Sequence, residues 1–90
     1  MADKEKSIEI EEELINFLST KEIFNQNGVC TKDTDLIESG LDSMIMIELL
    51  LLIEEKYGFW VPEAHLTEEN FKNVRILAGS ILTLMNNNRT

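Results

Sequence analysis

The sequence has only one cysteine, Cys30, and only one histidine, His65, among its 90 residues. A lone cysteine has no partner for an intramolecular disulfide, and a lone imidazole leaves no second histidine for a zinc site or a proton relay. A disulfide-stabilised scaffold and a zinc module are therefore excluded, and we assign neither residue a functional role.

Basic residues are also scarce. Eight lysines and arginines stand against 17 aspartates and glutamates, which gives a formal net charge of −9. Such a chain is repelled by the phosphates of nucleic acids and by anionic lipid head groups. We expect no nucleic-acid partner, and we expect any protein partner to offer a basic face.

Long hydrophobic runs are absent. The longest, Leu49 to Ile53, is far shorter than the roughly 20 apolar residues of a transmembrane helix. The segment Met1 to Lys6 is charged and lacks the apolar stretch of a signal peptide. The sequence thus predicts a cytoplasmic protein that does not insert into a membrane.

What the sequence does contain is apolar residues at helical spacing, in three segments. We predict a first helix over about 7–24 and a last helix that starts after Asn73 as its N-cap. The middle helix is the best defined, because Asp42 can cap its start and Gly58 can adopt the left-handed conformation that ends helices.

The predicted fold class is all-α. We expect a four-helix bundle with three principal helices, a short third helix near 67–71, and a long loop over about 25–42 between the first two. The domain is predicted to span 7–85, with a flexible N-terminus at 1–6 and a polar tail at 86–90. Loops longer than about 12–15 residues in compact domains are usually functional or disordered.

The middle helix is apolar on two sides. One stripe suffices to meet a core, and it comprises Met46, Leu50, Ile53 and Tyr57, flanked by Ile47 and Leu49. The opposite side holds four more apolar residues among two glutamates: Met44, Ile45, Leu51 and Leu52, with Glu48 and Glu55. Because a small bundle cannot bury a helix completely, we interpret this second side as a binding surface.

A serine lies where the long loop meets the middle helix. Asp42 is predicted to cap this helix, Gly40 allows a tight turn, and Ser43 then presents its hydroxyl at the surface in the first helical turn. No neighbouring base in the sequence would make it a nucleophile by itself. Its activation would have to come from a visiting enzyme.

These residues resemble a known family, the acyl and peptidyl carrier proteins, in the region where phosphopantetheine is attached. That family usually reads Gly-x-Asp-Ser-Leu, then Val-Glu-Leu, then an acidic helix end with an aromatic residue, then Ile-Pro. The matching segments here are Gly40-Leu41-Asp42-Ser43-Met44, Ile47-Glu48-Leu49, Ile53-Glu54-Glu55-Lys56-Tyr57 and Val61-Pro62. The ungapped register from Gly40 to Pro62 makes the resemblance specific.

The resemblance implies a monomeric carrier protein without catalytic activity of its own. Ser43 would receive 4'-phosphopantetheine from coenzyme A, with Asp42 and Gly40 forming the attachment site, and acyl or aminoacyl groups would then travel as thioesters. The implied partners are a phosphopantetheinyl transferase, which uses magnesium, an acyl- or aminoacyl-loading ligase, and a downstream synthase or transferase. The residues expected to recognise them are Met44, Ile45, Glu48, Leu51, Leu52 and Glu55.

Departures from the family pattern indicate which kind of carrier protein this sequence resembles. Ile45 stands where fatty-acid carriers commonly place a charged residue, and Phe59 and Trp60 add aromatic side chains where the family is often polar. These departures favour a carrier of aminoacyl, D-alanyl or specialised polyketide groups. We expect Trp60 to anchor the core and Val61 and Phe71 to face it.

The sequence favours three other functions less than a carrier. A calcium-binding EF-hand loop starting at Asp33 is excluded, because Ile37, Glu38 and Met44 occupy positions that need a ligand, a glycine and a bidentate glutamate. An unmodified helical interaction module that uses the apolar side of the middle helix remains an alternative. A hydrolytic pair of Ser43 and His65 is the least favoured.

Overall fold

The computed structural model describes residues 2–21, 24 and 30–88. Over these ranges the chain forms four α-helices, one short 3-10 helix and no strand, which confirms the predicted all-α bundle. The helices are α1 (Ala2–Leu18), α2 (Leu36–Ser39), α3 (Ser43–Tyr57) and α4 (Val74–Asn88), and the 3-10 helix is Glu63–His65. Parts of four predicted segments, at 1, 22–23, 25–29 and 89–90, lie outside the described residues.

Helix α1 begins earlier than predicted. It starts at Ala2 rather than at Ser7, so residues 2–6, predicted to be flexible, are helical, and it ends at Leu18 rather than near residue 24. Nothing in the acidic and basic residues before Ser7 breaks a helix, and Lys6 lies 3.5 Å from Glu9 in an ion pair one turn along. Ser7 is therefore an interior residue of the helix.

Helices α1 and α4 pack against each other more extensively than any other two helices of the described chain. Helix α4 starts as predicted, because the backbone N–H of Ile76 donates to Oδ1 of Asn73 at 2.8 Å. It continues three residues into the predicted tail. The buried apolar residues of the pair follow helical spacing: Ile10, Leu14 and Leu18 from α1, and Val74, Leu77, Ala78, Ile81 and Leu84 from α4.

Helix α3 has the predicted bounds. Its N-cap is Asp42, whose Oδ1 accepts from the backbone N–H of Ile45 at 2.9 Å. Its end is Gly58, which has a φ of 79° and donates its N–H to the carbonyl of Glu54 at 2.9 Å. A side chain at Gly58 would be strained at this positive φ, so glycine stops the helix there.

The face that α3 buries agrees with the prediction for Leu49, Leu50 and Ile53 but not for Ile45. Its buried residues are Ile45, Leu49, Leu50 and Ile53. Met46 and Tyr57 are only partly buried, and Ile47 is 52% exposed. The prediction was thus wrong for Ile45, which was assigned to the opposite side, and for Ile47, because a helix that is apolar on two sides offers several stripes at i, i+4 and i+8.

The connection before α3, described from residue 30 onward, contains α2, which the aperiodic sequence did not predict. The backbone N–H of Leu36 donates to the carbonyl of Lys72 at 2.7 Å, and that of Arg75 donates to the carbonyl of Lys32 at 3.0 Å. Leu36 itself is fully buried. These hydrogen bonds hold the connection against the start of α4 and so position the turn that leads to α3.

The short helix predicted at 67–71 is a single turn rather than a helix. The N–H of Phe71 donates to the carbonyls of Thr67 and Glu68 at 3.1 and 3.2 Å. The 3-10 helix lies before it, directly after Pro62, whose fixed φ suits the start of a helix. The turn buries Phe71, so its inward orientation was predicted correctly.

Candidate functional site

Ser43 is the first residue of α3, and it is exposed. The turn before it depends on Gly40, which has a φ of 115° and donates its N–H to the carbonyl of Ile37 at 3.2 Å. A residue with a β-carbon would be strained at this φ. Gly40 and Asp42 thus set the direction in which the chain enters α3, and they leave the Ser43 hydroxyl in solvent.

The position of Ser43 at a helix start has an electrostatic consequence. The first backbone N–H groups of a helix have no partner within it, and the helix dipole adds positive potential there. One of these N–H groups, that of Ile45, is already bonded to Asp42. The remaining potential favours a phosphate on the Ser43 oxygen over a neutral substituent.

A groove of about 390 Å³ opens beside Ser43, and we refer to it as the Ser43 groove. It lies between α2, the start of α3 and the turn before α4. Its apolar wall consists of Ile37, Leu41, Met46, Leu66 and Phe71. Its polar residues are Asp42, Ser43, Thr67 and Glu68. A flexible substituent on Ser43 would have this groove within reach.

The residues that line the groove include no histidine that could act as a base on the Ser43 hydroxyl. His65 is not among the residues that line it. The carboxylate of Asp42 is engaged as the helix cap. Within the described chain no group of three or more histidine, cysteine or acidic side chains could hold a metal ion. The geometry therefore offers no support for a hydrolytic pair of Ser43 and His65.

The exposed apolar side of α3, here called the outer face, consists of Met44, Ile47 and Leu51, which are 68%, 52% and 53% exposed. The prediction that Ile45 belongs to it was wrong, because Ile45 is 7% exposed and packs in the core. Leu52 is half-buried against the core. Sequence reasoning had assigned Ile47 to the buried side.

The acidic residues predicted beside the outer face differ in their contacts. Glu55 is exposed. Glu48 instead accepts a hydrogen bond from Nζ of Lys21 at 2.6 Å, across 27 residues of sequence. A basic partner that approaches Glu48 would therefore have to compete with Lys21.

Trp60, Val61 and Cys30 differ in their burial. Trp60 is 51% exposed, so the expectation that it anchors the core was wrong, whereas Val61 faces the core as predicted. Cys30 is buried, and this burial raises the pKa of its thiol, which disfavours the reactive thiolate. The two-residue segment Phe59-Trp60 after Gly58 offers only Phe59 to the core.

Sequence reasoning missed Glu68 and Thr67 as residues near the serine. Glu68 is exposed, but it also lines the Ser43 groove. No local signal in the sequence could have found this, because 25 positions separate Ser43 from Glu68 along the chain. The fold brings them to one groove.

Comparisons with known proteins point to one family. The model of the family described as "Phosphopantetheine attachment site" matches residues 21–81. The chain is similar to Aminoacyl carrier protein 1 of Bradyrhizobium diazoefficiens, with 35% identity over 66 residues that cover 70% of this chain and 73% of that protein. It is also similar to Aminoacyl carrier protein 2 of the same organism, with 31% identity over 65 residues that cover 69% and 73%. No solved structure shows significant similarity to it.

Proposed function

The chain belongs to the family of carrier proteins that bear phosphopantetheine, and on that basis we propose that it is a discrete acyl or aminoacyl carrier modified on Ser43. Phosphopantetheine is the prosthetic group of this family. It supplies a terminal thiol on a flexible arm, to which the carried group is joined as a thioester. The single observation that carries the proposal is the exposed Ser43 at the start of α3 within the matched region.

The residues around Ser43 fit this group. The hydroxyl is accessible, the helix start favours the anionic phosphate, and the Ser43 groove has apolar walls beside it. Ser43 would hold the group covalently, Asp42 and Gly40 would orient the serine, and residues of the groove wall such as Leu66 and Phe71 would contact the arm when it folds back.

The attachment itself is a phosphoryl transfer that a second enzyme catalyses. The Ser43 oxygen attacks the pyrophosphate of coenzyme A at the phosphorus that carries the pantetheine. An oxygen–phosphorus bond forms to the serine, the bond to the other phosphate breaks, and the nucleotide part leaves. The hydroxyl proton passes to a base of the transferase.

For the cargo we favour an aminoacyl group. Two relatives, each matched by this chain over 73% of its own length, are named aminoacyl carrier proteins. The chain would receive the amino acid from an activating ligase and deliver it to a downstream transferase or synthase. We expect it to act as a monomer in the cytoplasm, where coenzyme A and such ligases are found. No described helix is long and apolar enough to cross a membrane.

The outer face is the surface that we propose for docking these enzymes. Met44, Ile47 and Leu51 are exposed apolar residues on the same helix as Ser43, so a partner bound there would have the attachment site beside it. Of the acidic residues, Glu55 is accessible and Glu48 is partly neutralised by Lys21. We therefore expect apolar contacts to contribute more to docking than ion pairs do.

Intact-protein mass spectrometry tests the proposal. The purified chain is incubated with coenzyme A, magnesium and a broad-specificity phosphopantetheinyl transferase. We expect the mass of exactly one phosphopantetheinyl group to be added to the wild type and to a Ser39→Ala control, and none to Ser43→Ala. Absence of modification in well-folded protein, or modification that persists in Ser43→Ala, would overturn the proposal and favour the unmodified interaction module.

A further inference from the structure

The Ser43 groove combines an apolar wall with a single carboxylate that has no intramolecular role. Asp42 is used as the cap of α3. Oγ1 of Thr67 accepts from the backbone N–H of Asn70 at 3.2 Å. The side chain of Glu68 makes no hydrogen bond or ion pair with any residue in the part of the chain that the structure describes. Glu68 is therefore the carboxylate of the groove that remains available to a ligand.

The surroundings of Glu68 strengthen its preference for a cation. A second groove, on the other side of Glu68, is lined by Asp35, Glu38, Glu68 and Glu69, with Lys72 as its only basic residue, and also by Ile37. Because Glu68 and Ile37 line both grooves, the negative potential of the second groove extends to the mouth of the first. An anionic cargo would be repelled there, and a cationic one would be attracted.

We propose that Glu68 is a specificity-determining residue that binds the α-ammonium group of an aminoacyl cargo when the arm on Ser43 folds back into the groove. This inference rests on the proposed function and names the chemical class of the cargo. The ammonium contacts the Glu68 carboxylate, and a short apolar side chain of the amino acid lies against Leu66 and Phe71. An acyl group without the amine has no partner for Glu68.

The size of the groove is consistent with a small cargo. At about 390 Å³ it lies at the lower end of the range of small-molecule pockets, and the arm must share it. The cargo is tethered to Ser43, which lines the same groove, so binding is intramolecular, with an effective concentration in the millimolar range. A contact with one exposed carboxylate, which would be too weak for a diffusing ligand, is then sufficient to bias the arm.

Two stable cargoes that differ only in the amine provide the test. Coenzyme A analogues with an alanyl or a propionyl group in amide linkage to the terminal position are loaded onto Ser43 by the transferase, and ¹⁵N-labelled chains are compared by NMR. We expect the alanyl form to shift the backbone amide signals of Glu68 and its neighbours Thr67 and Phe71 relative to the propionyl form. Raising the salt concentration should reduce this difference.

Matched variants decide whether Glu68 is responsible. Glu68→Gln should abolish the difference between alanyl and propionyl forms, whereas Glu69→Gln, which alters only the second groove, should retain it. Equal spectra for the two cargoes in the wild type, or a difference that survives in Glu68→Gln, would overturn the inference. Both outcomes require loaded protein, so they are distinguishable from a failure of Ser43 modification, which the mass measurement detects first.

Discussion

Lys21 and Glu48 form an ion pair in which Nζ of the lysine lies 2.6 Å from Oε2 of the glutamate. Their side chains are 26% and 36% exposed, and the lysine also lies 5.1 Å from the centre of the Phe17 ring. The pair joins the segment that follows α1 to α3, the helix that begins at Ser43. It therefore contributes to the position of α3 and changes the charge that α3 presents.

We predict that this pair is worth about 1 kcal/mol, the upper end of the range for pairs that are not fully buried. A double-mutant cycle with Lys21→Met and Glu48→Gln, followed by urea unfolding, measures the coupling free energy. The pair Lys6–Glu9 on α1, at 3.5 Å, serves as a control and should give about 0.3 kcal/mol. Strictly additive effects of the Lys21 and Glu48 substitutions would contradict the prediction.

We predict that a substitution on the outer face weakens the docking of the transferase but hardly changes the stability of the fold. Leu51 is 53% exposed, so Leu51→Asp should change the free energy of unfolding by less than about 0.5 kcal/mol. The kcat/KM of the transferase for the apo chain should nevertheless fall at least about tenfold, because a charge would enter an apolar contact. Ile8→Asp, at an exposed apolar position of α1, should alter neither quantity. Equal kcat/KM values for the two variants would remove the outer face from the docking surface.

We predict that the hydroxyl of Tyr57 loses its proton at a higher pH than an exposed tyrosine does. Its hydroxyl is buried without a hydrogen-bond partner among the described residues. Burial, and then the charges of Glu13 and Glu9, raise its pKa from 10.0 to about 12. Because it is the only tyrosine, the absorbance at 295 nm reports its ionisation directly. A midpoint near pH 10 in the folded protein would contradict the prediction.

The sign of the linked stability change follows from this shift. The unfolded chain loses the Tyr57 proton at lower pH than the folded chain, so stability is fully present below pH 10 and falls as the pH rises toward about 12. Tyr57→Phe should remove this part of the pH dependence. At neutral pH it should leave the free energy of unfolding unchanged or raise it by up to about 1 kcal/mol, since an unsatisfied hydroxyl is lost.

The ion pair of Asp33 and Arg75 should make the stability of the fold depend on pH in the opposite direction, with a loss at acid pH. Nε and Nη2 of the arginine donate to the two carboxylate oxygens at 2.9 and 3.0 Å. Chiefly through this hydrogen bonding, Arg75 lowers the pKa of Asp33 from 3.8. The pair thus contributes stability above pH 3.8 that is lost as the pH falls through the lowered pKa of Asp33.

A carbon-detected NMR titration of the Asp33 carboxyl measures this pKa in the wild type and in Arg75→Gln. We expect a midpoint below 3.8 in the wild type and an upward shift in the variant. Because the pair is exposed, the accompanying change in stability should be small and should shrink in high salt. Identical midpoints in the two proteins would show that the pair does not persist in solution.

The sequence alone determined where α3 begins and ends and that Ser43 lies at its start. The reason is that these features depend on residues a few positions apart: Asp42 bonds to the N–H of Ile45, and Gly58 bonds to the carbonyl of Glu54. The same local logic found the cap at Asn73. It failed at α1, where helix-favouring charged residues precede Ser7 and the helix already begins at Ala2.

Only the tertiary structure decided which side of α3 is buried and what lies beside the serine. A helix that is apolar on two sides does not specify its own rotation, so its packing against the rest of the fold decided that Ile45 lies inside and Ile47 outside. The same packing set Glu68 at the groove of Ser43. Burial and proximity are properties of elements that meet across the fold, and the chemistry of short segments cannot specify them.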